Sequence, residues 1–369
     1  MNALILLIAI VFCGWRYTVN AGEVPSVFTT GIPSDLQVYL LGGQQVASGQ
    51  NLYDGDLLPG LPFTYPPFAG VVFSWFGEAT PAIAMWWTIV SVVLLGVVCY
   101  WASKSMSAPL LALFFILATE PVHATLYFGQ INIVLMALVC LDFLPRNRLP
   151  GIGTGLAAGL KLTPAFFVVL FAVQRRWGAM WMSAFTFLCT VAVGFQLVPD
   201  AEKFWTSAMF DSERVGVAMN PGAQAVRQVL VREFGIDSTA LWLALAALIT
   251  LVAAFGAHVA YRRHKEPALA VALIGMASCL VSPFSWHHHW VWIVMLGCVI
   301  YRWWGAVPMM LLMLPFIADN VAYGLFAVPN LAFTLVPACF IVLYAGYGAW
   351  QLWSARQVRN ERLTGVGAR

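Results

Sequence analysis

The chain is short of charge. Lys and Arg number 19 and Asp and Glu 16 in 369 residues, so charged residues make up 9% of it, against about 25% in an ordinary soluble domain. The balance is a formal +3, and no basic run carries interleaved aromatic residues, which excludes nucleic acid as a partner. There is no CxxC and no metal-ligand spacing among the seven cysteines (13, 99, 140, 189, 279, 298 and 339). They read as small core hydrophobes. The apolar stretch 3–13 has no Lys or Arg before it and no clean small-x-small cleavage site after it, so it reads as a retained first helix and not a signal peptide. Internal repeats and low-complexity tracts are also lacking, which weighs against a transporter built from two related halves.

What remains is apolar. Hydrophobic residues make up 61%, with 16 Trp, 25 Phe and 11 Tyr, and mean hydropathy is +0.81. One or two water-soluble domains cannot hide that much apolar surface, so the chain reads as an all-α polytopic membrane protein. Uncharged apolar stretches fall at 2–15, 81–103, 105–119, 124–141, 150–173, 177–198, 238–261, 267–301, 303–318 and 320–355. About 20 residues make one crossing. The stretch 267–301 is therefore two helices, broken at Pro283 and the polar run that follows.

Charge orients the map, because Lys and Arg in short loops mark the cytoplasmic side. Lys104, Arg146, Arg148, Arg175, Arg176, Arg262, Arg263, Lys265, Arg302 and the tail arginines, Arg369 included, fall in alternate connectors; Glu23, Asp35, Glu78, Glu120, Asp319 and the acidic residues of 200–237 fall in the others. The segment 150–173 has arginines at both ends, so it is expected to fold back near Lys161, Thr163 and Pro164. The segment 63–77 is expected to be a juxtamembrane or re-entrant helix. The result is one integral-membrane domain over 1–369 with about 12 membrane helices, both termini cytoplasmic and extracytoplasmic segments at about 21–80 and 199–237. Within the first of these, Ser34 or Asp35 can cap a short amphipathic helix running to about Ser48.

Polar groups at membrane depth need a partner or a task. Asp35 reads either as a cap or as a general base near the membrane surface. Phe63-Thr64-Tyr65-Pro66-Pro67 is a rigid helix entrance that also offers Tyr65 to a ligand. Gln130 and Asn132 suit interhelical hydrogen bonding or ligand contact equally. Lys161 wants a carboxylate or a phosphate. In Ser282-Pro283-Phe284-Ser285-Trp286-His287-His288-His289, three consecutive imidazoles rarely converge on one ion, so proton handling, substrate orientation or hydrogen bonding is favoured over metal. Arg214, Arg227 and Arg232 could meet a lipid-linked phosphate as Lys161 could, but loop arginines are usually solvated, and Asp54-Gly55-Asp56 reads as a turn.

These motifs in order, Asp35-x-x-x-Tyr39 with Gly49-Gln50-Asn51-Leu52-Tyr53, Phe63-Thr64-Tyr65-Pro66-Pro67, Gly129-Gln130-Ile131-Asn132, Lys161-Leu162-Thr163-Pro164 and Ser282-Pro283-Phe284-Ser285-Trp286 leading into His288-His289, resemble glycosyltransferase family 87 of the GT-C superfamily. That group includes polyprenyl-phosphate-mannose-dependent α-1,2-mannosyltransferases of phosphatidylinositol mannosides and lipomannan. The resemblance implies a GT-C bundle in the plasma membrane and a metal-independent, cofactor-free inverting transfer on the extracytoplasmic face. The expected partners are a polyprenyl-phosphate sugar donor, a lipid-anchored glycan acceptor and the surrounding lipids. It makes Asp35 the base, places His288 or His289 near it, and assigns substrate contacts to Tyr39, Tyr65, Gln130, Asn132, Lys161 and Trp286, with Lys161 at the donor phosphate. An arabinofuranosyltransferase using a polyprenyl-phosphate pentose, a lipid-linked-sugar flippase and a non-catalytic scaffold remain as alternatives.

Overall fold

A computed structural model describes residues 7, 11, 31–145, 148–316 and 332–364. Apart from residues 7 and 11, the expected first helix at 2–15 lies outside the described residues, as do Glu23, Arg146, Asp319 and Arg369. Among the described residues the regular elements are helices apart from one small antiparallel hairpin, β1 (Asp56–Leu58) with β2 (Leu61–Pro62).

Helix α1 (Ser34–Ala47) starts differently from the expectation. Pro33 occupies the N-cap position and no side chain caps the helix. The N–H groups of Asp35 and Leu36 instead donate to the carbonyl of Phe128, at 3.1 and 3.3 Å, which satisfies two of the orphan donors of a helix start and leaves the Asp35 carboxylate for other work. The helix is also more enclosed than an interfacial one, with Leu36, Val38, Tyr39, Leu40 and Val46 all buried. It packs on α2 (Pro67–Ser74), where the Tyr39 and Phe73 rings lie 4.9 Å apart. At eight residues, α2 is too short to cross a bilayer.

Among the described residues, four helices are long and apolar enough to cross singly: α3 (Pro81–Ser103), α9 (Trp177–Leu197), α12 (Thr239–Arg262) and the Phe333–Gln357 part of α16 (Ala332–Thr364). The expected stretch 105–119 appears as α4 (Ala108–Ala118). The stretch 124–141 is not one straight helix but α5 (Glu120–Tyr127) and α6 (Asn132–Phe143), which meet at 117°. Gly129 makes that bend: its φ is +69°, and a Cβ there would sit 2.7 Å from the Cβ of Leu36, so a glycine lets α1 close over the break.

Lys161 sits at a second break. Helix α7 (Ile152–Leu160) is followed by a 3₁₀ turn (Thr163–Phe167) and α8 (Val168–Gln174). Asp142 accepts from the Gly151 N–H at 2.8 Å and from the Thr154 N–H and hydroxyl, both at 2.7 Å, while Arg176 donates to the Asp142 carbonyl at 2.8 Å. Both ends of the segment therefore meet one residue, and the chain must run out to Lys161 and return. Helix α7 lies along α9, and at Gly155 a Cβ would come within 2.6 Å of the Ser183 carbonyl oxygen; small residues permit this approach where hydrophobicity gives no drive between helices.

After α10 (Ala201–Thr206) and α11 (Val226–Phe234), the third break separates α13 (Pro267–Val281) from a 3₁₀ turn (His287–Trp292) that leads into α14 (Ile293–Trp304) and α15 (Ala306–Met313). The chain reverses here, since Gly275 of α13 lies against the Trp292 ring. Residues 268–280 of α13 are all buried. A helix apolar on every side belongs in the middle of a bundle, and α13 with α14 forms that middle.

Candidate active site

The three breaks and the start of α1 meet at one place. Asp35 is positioned by the Phe128 carbonyl that holds its own N–H, so the bend after α5 sets the carboxylate. Gln130, two residues further on, donates its amide N–H to the Asp35 carboxylate. Its Oε1 faces the hydroxyls of Tyr39 at 2.9 Å and Tyr65 at 3.1 Å, and these lie 2.7 Å from each other. Two hydroxyl protons serve three such contacts, so one contact always lacks a proton. The amide can point only one way, because an ionised carboxylate only accepts and the phenols must donate.

Lys161 continues the chain. Its Nζ donates to Tyr65 Oη at 3.4 Å and Asn132 Oδ1 at 3.2 Å, and lies 3.1 Å from His289 Nε2. The Nδ1 of His289 is 3.2 Å from the Trp286 N–H. A neutral imidazole accepts at one nitrogen only. His289 can therefore accept from the Trp286 N–H at Nδ1 or from Lys161 at Nε2, but not from both at once. Asn132 also donates to the carbonyl of His288 at 3.0 Å, and Thr125 to the same oxygen at 2.9 Å. The turn at 287–292 is thus tied to both arms of the α5–α6 bend.

Burial raises the Asp35 carboxyl above its ordinary range, opposed by the Gln130 hydrogen bond first, then by the Lys161 charge and the Ser34 hydroxyl. Asp35, Lys161, Trp286 and His289 keep partial exposure, while Tyr39, Tyr65, Gln130, Asn132 and His288 are buried behind them. The arrangement offers a carboxylate and an ammonium on two partly exposed residues, joined through amide and phenol groups. Such a site can take a proton from a hydroxyl at one end and hold an anion at the other.

The nine residues singled out from sequence do not all touch. Neither His288 nor His289 contacts Asp35; His289 reaches it through Lys161, Tyr65 and Gln130, and His288 lies across the Phe128 ring, 5.6 Å between centroids. His287 points elsewhere, with Nε2 3.7 Å from Glu120. Trp286 donates its Nε1–H to the Val215 carbonyl at 3.0 Å, so it holds a loop. Among the described residues no group of three or more His, Cys, Asp or Glu side chains is placed to hold a metal.

Sequence reasoning passed over Thr125, Asp142 and Asp200. Asp200 is buried and accepts from the Leu52 and Tyr53 N–H groups at 2.8 and 2.9 Å, fixing the loop after α1, and Tyr53 in turn donates to the Tyr65 carbonyl at 2.7 Å. Asp54, read as solvated, is exposed but pairs with Lys203. A lone carboxylate at the end of an apolar run was the available signal for Asp142 and for Asp200.

The family model for glycosyltransferase family 87 matches residues 63–283. That span holds Tyr65, Gln130, Asn132 and Lys161; Asp35, Tyr39, Trp286, His288 and His289 flank it. A polyprenol-phosphate-mannose-dependent alpha-(1-2)-phosphatidylinositol mannoside mannosyltransferase of Mycobacterium tuberculosis is 35% identical over 292 residues, covering 70% of this chain and 68% of its own. Its namesake in Mycolicibacterium smegmatis is 30% identical over 335 residues, 79% of this chain and 72% of its own. An alpha-(1->3)-arabinofuranosyltransferase of Corynebacterium glutamicum is 29% identical over 226 residues, 56% of this chain and 51% of its own. No solved structure matches. With its family model matched over more than half its length, and relatives of this identity over most of it, the chain belongs to glycosyltransferase family 87.

Proposed function

We propose that the chain moves a mannosyl residue from a polyprenyl-phosphate donor to a lipid-anchored glycan of the phosphatidylinositol mannoside or lipomannan kind, with inversion, on the extracytoplasmic face of the plasma membrane. The observation that carries this reading is the continuous polar chain from Asp35 through Gln130 and Tyr65 to Lys161. Asp35 takes the proton of the acceptor hydroxyl as its oxygen attacks the anomeric carbon. The bond from that carbon to the phosphate oxygen breaks, and the phosphate leaves with the electron pair beside Lys161. A phosphate is already a good leaving group, so it needs charge stabilisation more than protonation. His289 holds Lys161 until the donor arrives, and Tyr39, Asn132 and Trp286 shape the surrounding wall.

Charge supports this choice of face. Each of α4, α6, α7, α8, α13 and α14 has one end at the site and basic residues at or beyond the other: Lys104, Arg148, Arg175, Arg176, Arg262, Arg263, Lys265 and Arg302. By the positive-inside rule that far end, with both termini, is cytoplasmic. Counting the shorter apolar helices and the folded-back pair with the four long ones, and adding the helix expected from sequence at 2–15, supports a GT-C bundle of about 12 membrane helices over the whole of 1–369.

Purified protein in nanodiscs, supplied with polyprenyl-phosphate-mannose and a phosphatidylinositol mannoside, is expected to transfer mannose. Asp35→Asn is expected to lower kcat by about 10²- to 10⁴-fold, the span of general-base contributions. Full activity of Asp35→Asn refutes the assignment of the base. The arabinofuranosyltransferase relative supports a second reading, which consumption of a polyprenyl-phosphate pentose in place of the mannose donor would establish.

A further inference from the structure

Residues 211–225 form a loop docked on the segment that carries the histidines. Trp286 donates to Val215, Ala223 pairs with Trp286 as an isolated bridge, the Gln224 N–H donates to the Ser285 carbonyl at 2.6 Å and the His287 N–H to the Gly222 carbonyl at 2.9 Å. Gly216 lies against the Trp286 ring, where a Cβ would come within 2.3 Å of Cζ2. The loop is therefore held in one place beside the site.

Of the three arginines in this region, two are occupied. Arg232 donates to the Asn220 and Ala223 carbonyls at 3.1 and 2.7 Å; Arg227 faces Asp237 at 3.8 Å and lies over the Trp242 ring. Arg214 differs. Its Nε and Nη2 are shielded from solvent and have no hydrogen-bond partner among the described residues. It acts electrostatically on the Tyr53 hydroxyl, the same hydroxyl that donates to Tyr65, whose own hydroxyl meets Lys161. Guanidinium nitrogens shielded from water with free donors are costly until an anion with matching oxygens arrives. Around it the loop and the turn before it expose Phe210, Val217 and Met219 at 74, 65 and 60%, apolar side chains that suit hydrocarbon.

We propose that Arg214 binds the phosphate of a lipid substrate, with Phe210, Val217 and Met219 lying against the hydrocarbon which that phosphate carries. This rests on the reading that the substrates are lipid-linked, and it adds a second cation to Lys161. Two phosphates are available, that of the polyprenyl donor and the phosphodiester of an inositol-phospholipid acceptor; both present the same chemistry to a guanidinium.

The test measures binding of two probes to full-length protein in detergent, a sugar-free polyprenyl phosphate and phosphatidylinositol, with polyprenol as the uncharged control. Wild type, Arg214→Gln and Arg214→Lys are compared, with melting temperatures alongside. Arg214→Gln is expected to weaken one phosphate probe by about tenfold to a hundredfold, the range for a hydrogen-bonded charge, with polyprenol unaffected and Arg214→Lys retaining part of the affinity. Loss for polyprenyl phosphate assigns the donor, and loss for phosphatidylinositol the acceptor. Unchanged affinity for both, or equal loss for all three lipids with a lowered melting temperature, overturns the proposal. Because neither probe carries a transferable sugar, the result stands apart from whether mannose is the sugar moved.

Discussion

Replacing Gln130 with Leu removes one group from the middle of the polar chain while keeping its approximate volume. Two consequences can be worked out separately. The Tyr39 and Tyr65 hydroxyls have two protons, and with Gln130 Oε1 gone the acceptor left to either is the other hydroxyl, 2.7 Å away; one buried phenolic donor is left without an acceptor, at a cost of about 1–3 kcal/mol in stability. The Asp35 carboxylate loses the hydrogen bond that most strongly opposes the effect of burial, so its pKa moves further upward. A general base must be ionised, so its activity is lost as pH falls through that pKa. The acid limb of the kcat/KM profile in Gln130→Leu must lie at higher pH than in wild type, and the ratio of wild-type to variant activity must grow as pH falls. A mannosyl-transfer profile measured from acid to neutral pH, with the melting temperature beside it, reads both effects. A ratio that is constant across pH refutes the coupling of Gln130 to Asp35, whatever the size of the loss.

Lys161→Met is expected to weaken binding of a polyprenyl phosphate by about tenfold to a hundredfold while leaving polyprenol binding unchanged, read by the same binding assay. His289→Ala, which removes the group 3.1 Å from Lys161, should raise the donor KM more than His287→Ala, whose partner is Glu120; steady-state kinetics with varied donor separate the two. Asp142→Ala deprives three donors of their acceptor and should destabilise the fold by about 3 kcal/mol or more, seen as a lowered melting temperature and reduced folded yield.

The arrangement of helices was legible in the sequence where composition alone decides it. The span 81–103 emerges as α3 with the same limits, and the break of 267–301 falls at Pro283, because a proline amid polar residues has no helical hydrogen bond to give. The fold-back at Lys161 was legible for an electrostatic reason: arginines at both ends forbid a single crossing. The bend between α5 and α6 was not. Gly129 was visible, but that it adopts φ +69° depends on Leu36 and Pro33 packing over it, and a contact over more than 90 residues leaves no periodic trace. The candidate site divides the same way. Lys161, Gln130 and Asp35 are conspicuous as polar groups in apolar surroundings, whereas Asp142 and Asp200 act on backbone N–H groups, and their partners carry no sequence signal. The cap expected at Ser34 or Asp35 failed because a distant carbonyl, that of Phe128, supplied what a side chain ordinarily supplies.

That substitution points to why the site lies where helices are broken. A helix interrupted at membrane depth exposes backbone donors and acceptors that lipid cannot satisfy, so each break needs polar partners from another segment. The carbonyl of Phe128 is met by the start of α1, the carbonyl of His288 by Thr125 and Asn132, and the Trp286 N–H faces the His289 ring. Each solution brings a polar side chain inward and leaves part of its hydrogen-bonding capacity over: Gln130 beside Asp35, Asn132 beside Lys161, His289 beside Lys161. The groups that make the breaks affordable are thus the groups that line the site or adjoin it. A substitution that repaired a break, such as Gly129→Ala with a straightened α5–α6, would move the Phe128 carbonyl from Asp35 and separate the carboxylate from the cation, abolishing transfer without touching either charge.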